Sequence, residues 1–260
     1  MPYSKTELED LKTAKQLLEN VGLTAKITSL LGMPIEKSLM TLPDSWQNKI
    51  HTATKGALYK ALDIAINTLD SDDVGRGSEN MWHKVAVAAT GGVGGAFGFT
   101  ALALELPVST TIMLRSIASI ARQEGENILD PGTQLSCLEV FALGGPSKYD
   151  DSVDTGYFAV RAMLAKTMIE AAKDIASKNT SRAASSAIAK FITVISNRFG
   201  VQVSEKAAAQ MIPAIGGAGG AVINTLFIDH YQNMAKGHFI IRRLEKKYGY
   251  EEIKRKYQEI

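Results

Sequence analysis

The sequence predicts an all-α fold, a multi-helix bundle in which two glycine-rich central helices form a pseudo-symmetric repeat. Three observations predict it. No segment alternates apolar and polar residues over the length of a strand, whereas apolar residues recur at helical spacing along most of the chain. Aromatic residues make up only 7% of the 260, while Ala, Gly and Ser are plentiful, which suits close-packed helices better than a β-sandwich. Finally, two stretches without an ionisable side chain share one pattern. In Val85–Leu104 (VAVAATGGVGGAFGFTALAL) and Ala207–Ile228 (AAAQMIPAIGGAGGAVINTLFI), Gly91, Gly92, Gly94, Gly95, Ala96 and Thr100 match Gly216, Gly217, Gly219, Gly220, Ala221 and Thr225 without a gap.

Composition narrows the function. An apolar share of 45% is that of a globular chain with a real core. The net charge of +2, from 29 basic and 27 acidic residues, is too balanced for a nucleic-acid footprint. Cys137 is alone, so no intrachain disulfide forms and a reducing compartment fits. The first twenty residues are charged throughout and lack the apolar centre of a signal peptide, so a cytoplasmic location is expected.

The elements follow in order. Lys5–Asn20 reads as an exposed helix with Leu8, Leu11, Ala14, Leu17 and Leu18 on one stripe. Val21–Leu42 is amphipathic, and packing on the protein's own core is preferred over a membrane surface. Asp44 or Ser45 caps a long helix running to Leu69. Asp70–Ser78 is a polar linker; its aspartates lack the acidic residue that would close a calcium loop. Pro107 kinks or restarts the helix that continues as Val108–Glu124. After an Asp130-Pro131-Gly132 turn comes a short buried helix, Gln134–Leu143, carrying Cys137 and Glu139, then a polar loop, Gly144–Asp154. Helices are predicted over Thr155–Lys178 and Ser181–Phe199, the latter with Gly200 as C-cap. The second glycine-rich helix follows, and the charged C-terminal helix splits at Gly249.

Glycine inside a helix costs about 1 kcal/mol relative to alanine, so several together imply that another backbone comes close. Gly91 and Gly95, Gly94 and Gly98, and Gly216 and Gly220 each stand four apart and clear a strip of one helix face. The economical arrangement packs the two repeats against each other, with Glu105 opposite His230. Each stretch is also about as long as a membrane-spanning helix, but Ala and Gly drive insertion only weakly.

The strings ATGGVGGAFGFTALALELPVSTTIMLRSIASIARQEGENILDP, CLEVFALGG, TGYFAVRAMLAK and GAVINTLFIDHYQNMAKGHFIIRRLEKKYG resemble the EcsC family of bacterial proteins, from about Gly75 to Gly249. The resemblance implies a bacterial, cytosolic or membrane-peripheral protein of a family named from a gene beside those for an ABC transporter. It brings no catalytic residues with it. On this reading residues 1–74 are an N-terminal helical arm, 75–249 the EcsC-like core and 250–260 a helical tail.

Site candidates therefore come from the residues alone. On the second repeat's helix, Asn224, Phe227, Tyr231, Met234 and His238 share a face that Arg242 and Glu245 continue. Buried polar groups need partners, and Glu105, Arg115, Glu139 and Arg161 lie in otherwise apolar helical segments. One reading gathers Glu105, Glu139, Asp229, His230 and His238 into a polar centre. There a divalent metal held by Glu105, Asp229 and His230, or a general base, would do chemistry. The preferred reading makes them buried ion pairs, for example Glu105 with His230 or Arg115, that fix the docking of the repeats. No cofactor is predicted. The expected function is a non-enzymatic protein associating with membrane lipid, with a membrane-protein or transporter partner and no nucleic acid. The alternatives are a metal-dependent hydrolase at the repeat junction, or a soluble adaptor binding a protein through its N-terminal amphipathic region.

Overall fold

The computed structural model describes residues 3–19, 23–32, 39–40, 42, 44–68, 99–144, 156–177, 185–210 and 216–260; the side chains of 31, 44, 68, 99–101 and 216–221 are not described. Among these residues every regular element is helical. They are α1 (Lys5–Glu19), α2 (Leu23–Leu31), α3 (Asp44–Thr68), α4 (Phe99–Gln123), α5 (Pro131–Glu139), a 3-10 turn (Val140–Ala142), α6 (Gly156–Ala176), α7 (Ser186–Gln210), α8 (Gly216–Tyr248) and α9 (Tyr250–Glu259).

The bundle is assembled around α8, which at 33 residues is about 50 Å long. α1, α2, α4, α7 and α9 all pack against it, and α3 closes the far side by packing on α4, α5 and α7. The N-terminal amphipathic region spends its apolar face on this core: Leu11, Ala14, Leu23 and Ile27 are buried. α1 lies so close to α8 that a Cβ at Gly237 would stand 3.0 Å from the Ala14 carbonyl oxygen and 2.7 Å from Leu18 Cγ. Ion pairs fasten its rim, Asp10 to Arg243 at 2.8 Å and Glu7 to Lys247 at 2.6 Å.

Several predicted boundaries move. Pro107 neither stops nor restarts α4, which runs through it; the Thr111 hydroxyl donates to the Pro107 carbonyl at 2.8 Å within the same turn. Gly200 does not cap α7, which continues to Gln210. Phe199 and Val203 are both buried on either side of it, so packing carries the helix across the glycine. The short helix before the first polar loop begins earlier, because Asp130 caps it by accepting from the Thr133 N–H at 2.9 Å with Pro131 in the first turn. It ends by tightening into the 3-10 turn. The window Ala207–Ile228 is not one helix: Ala207–Gln210 closes α7 and Gly216–Ile228 opens α8. Gly249, at φ 88°, makes the predicted break before α9.

α4 and α8 run parallel. Ser116 meets Gln232, Glu126 meets Arg242, and Glu124 meets Arg243, at sequence separations of 116, 116 and 119. This register sets the start of α4 at Phe99 level with the start of α8 at Gly216. The glycines Gly91, Gly94, Gly95 and Gly98 lie outside the described residues. The backbone at Gly216 and Gly220 is helical.

Candidate functional site

α7 and α8 run antiparallel, and polar groups step along their seam. Gln210 donates to Asn224 at 3.1 Å, Lys206 lies 4.9 Å from the centre of the Phe227 ring, and the Tyr231 hydroxyl donates to Gln202. The predicted α8 stripe is buried from Asn224 through Phe227, Tyr231 and Met234 to His238. It organises three separate polar clusters rather than one centre.

In the first cluster, Glu105 of α4 accepts from Lys206 of α7 at 2.5 Å. The lysine side chain is 2% exposed and the glutamate 18%. The expected partners, His230 and Arg115, are not the ones used. The α4–α8 register sets His230 more than two helical turns beyond Glu105, so α7 supplies the counter-ion.

The second cluster surrounds His230. Gln202 is saturated: its Nε2 donates to the Leu143 carbonyl at 3.3 Å and to His230 Nε2 at 3.4 Å, while its Oε1 accepts from Tyr231. Burial, with the nearby Lys26 charge, lowers the His230 pKa to about 4, so the ring is neutral and accepts at Nε2. Gly144, at φ 68°, lies against that ring. A Cβ there would be 2.5 Å from His230 Cε1 and 2.8 Å from Met234 Sδ. Gly144→Ala is expected to cost about 2 kcal/mol, from the left-handed backbone and the collision with the ring. Urea denaturation with an unchanged slope would measure it.

The third cluster is centred on His238, at 0% exposure. Its Nδ1 is 3.0 Å from the Tyr157 hydroxyl and its Nε2 is 3.6 Å from Glu139 Oε2. Burial pushes the Glu139 carboxyl up to about 7, against the pull of Arg161 and Arg242. Burial also holds His238 well below its ordinary value, with those two cations adding to the effect. Each arginine is matched. Arg161 makes a two-pronged pair with Glu245 at 2.6 and 2.8 Å. Arg242 donates to Glu126 at 3.0 Å, where Lys246 and Thr133 also bind. Burial works against Glu126 ionising, but these donors hold it below the usual carboxylate range. Cys137 is fully buried and its thiol is pushed up to about 12 by burial, so it is a core residue and no nucleophile.

The second and third clusters share one consequence. His230, His238 and Arg242, along one side of α8, lie against successive points of the segment from Glu126 to Gly144. α7 holds the same corner by its carbonyls, Arg198 on Ala142 at 2.6 Å and Gln202 on Leu143.

Of the predicted site residues, only Glu139 and His238 come together. Asp229 is exposed on the outer face of α8, and Arg115 is half-buried on α4. Glu105, Asp229 and His230, the candidate metal set, occupy three different surroundings. Among the described residues no group of three His, Cys, Asp or Glu side chains is placed to hold a metal ion. Lys206, Gln202 and Tyr157 were not anticipated from the sequence. The signal for the first two was the four-residue spacing of Gln202, Lys206 and Gln210 along an apolar helix face.

An all-α bundle laced by enclosed ion pairs is the class of protein these features define. The chain belongs to the EcsC protein family, whose model matches residues 5–244 and so takes in α1 and α2, well before residue 75. No curated protein and no solved structure matches it.

Proposed function

We propose that this is a non-enzymatic EcsC protein that rests on a lipid surface through the end of the bundle where α4 and α8 begin. In this role it is an accessory to an envelope or transport process at the inner face of the membrane, beside a membrane-protein partner. One observation carries the reading. The parallel register brings the starts of α4 and α8 to the same end, and two described apolar side chains near it are bare: Leu104 is 73% exposed and Val222 43%. Among the described residues no helix is long and apolar enough to cross a membrane.

The enzymatic alternative has less support. Glu139 and His238, the best acid–base pair, are 3% and 0% exposed, out of a substrate's reach. The adaptor alternative has less support, since Leu11, Ala14, Leu23 and Ile27 of α1 and α2 already face the core and Leu30 is the large apolar side chain left exposed among the described residues of these two helices.

Flotation with liposomes tests the proposal. The full chain is expected to rise with anionic vesicles, and Leu104→Glu with Val222→Glu is expected to cut the bound fraction several-fold without lowering the melting temperature. Failure of the unaltered chain to float with either anionic or neutral vesicles overturns it.

A further inference from the structure

The polar group with the most unused chemistry is the trio Tyr157, His238 and Glu139, reached by neither the lipid surface nor the packing seam. His238 Nε2 is buried and has no hydrogen-bond partner among the described residues. Its nearest acidic oxygen, Glu139 Oε2, stands at 3.6 Å, beyond hydrogen-bonding range. On the other side of the ring, burial raises the Tyr157 pKa and keeps its hydroxyl protonated, and in the tautomer with Nδ1 bare that hydroxyl, 3.0 Å away, donates to it. The neutral ring then carries its proton on Nε2, aimed at Glu139. A buried donor left without an acceptor is costly, and the two forms of the Glu139 carboxyl differ in how well they relieve it. A carboxylate accepts a charge-assisted bond, which is shorter and stronger than the bond to a neutral carboxyl.

We propose that Glu139, His238 and Tyr157 form a buried proton switch, in which the Glu139 carboxyl releases its proton to bulk water and the resulting carboxylate closes on the His238 Nε2–H, drawing the end of α5 onto α8. Return of the proton breaks that bond and reopens the gap.

The groups around the trio allow this. α6 supplies Arg161, and α8 supplies Arg242 and Glu245. Glu126 lies ahead of α5, Cys137 lies on α5 itself, and Tyr257 of α9 stacks on Tyr157 at 6.2 Å between ring centres. Arg161 and Arg242 are already neutralised by Glu245 and Glu126, so a new charge on Glu139 has the Nε2–H, 3.6 Å away, as an unused donor. A carboxyl that titrates at about 7 responds within the range a cell experiences. The movement would spread, because the end of α5 continues into the 3-10 turn held by Arg198 and Gln202. The switch is independent of lipid binding.

Infrared difference spectra of the full chain between about pH 6 and about pH 8.5, with nitrogen-15 NMR of the histidine rings, test the proposal. The expected result is a protonated-carboxyl band that disappears as pH rises and is missing in Glu139→Gln. The His238 Nε2–H resonance should move downfield over the same interval while the ring stays neutral. If Glu139→Gln fails to fold, Tyr157→Phe serves instead: it frees Nδ1, and the downfield movement should be lost. A Glu139 carboxyl already ionised at the lower pH, or still protonated at the upper, overturns the switch. So does a His238 signal that ignores the carboxyl titration.

Discussion

Lys206→Met is expected to lower the unfolding free energy by about 3 kcal/mol, and adding Glu105→Gln should return most of it. Methionine keeps the length and apolar stem of lysine, so the packing against Phe227 survives and only the ammonium is lost. The Glu105 carboxylate then remains in a site where 18% of its side chain reaches solvent. Such a group pays most of its desolvation and recovers little of it. The loss belongs near the low end of the range for broken buried pairs, because that residual exposure admits some water. The double variant removes both charges and so removes the reason for the loss. A measured coupling near zero would mean that the pair sits in effectively wet surroundings and does little to hold α4 to α7.

That junction marks the limit of what the sequence disclosed. Periodicity was enough to place the described helices, and the break at Gly249 fell where the chain has it, whereas Asp130-Pro131-Gly132, which reads as a turn, is the capped start of α5. The buried stripe from Asn224 to His238 was equally legible, since residues three and four apart must share a helix face. Partner choice was not. The glycine motif pairs Glu105 with His230 as matching positions, but helices dock by the surfaces that fit, and the resulting register slides α8 past α4 by more than two turns. The counter-ion then comes from α7, which has no part in the repeat. Lys206 stood in a run, VQVSEKAAAQ, that reads as an ordinary solvated helix unless the spacing of Gln202, Lys206 and Gln210 is weighed. Asp229 shows the converse: beside His230 in sequence, it is about 100° away around the helix and faces water. Gly200 mimicked a C-cap because a glycine after an apolar run is a stop signal only where the chain can turn, and here both flanks are buried.

The pH dependence of stability should carry the largest signature of the third cluster. In the unfolded chain Glu139 titrates at its ordinary value of 4.5, and in the fold burial raises it to about 7. Between those limits the unfolded chain has given up a proton that the folded one keeps, so this carboxyl's contribution is full below 4.5 and is lost as pH rises toward 7. The shift amounts to about 3 kcal/mol. His230 acts with the opposite sign. Lowered from 6.5 to about 4, it contributes fully above 6.5 and loses that contribution as pH falls through 4, and His238 shifts in the same direction. From 4.5 to 6.5 two histidines therefore raise stability while one carboxyl lowers it. Above 6.5 only the carboxyl's decline remains, so the natural chain should be most stable near pH 6.5. Glu139→Gln has no proton to lose. Whatever constant cost its buried amide brings, its stability relative to the natural chain should improve by about 3 kcal/mol from pH 4.5 to 7 and hold level beyond. Its own curve should rise to a plateau with no crest. Denaturant titrations at half-unit pH steps decide the matter, and a difference between the two proteins that stays flat across that window would place Glu139 in a far more solvated setting than its 3% exposure allows.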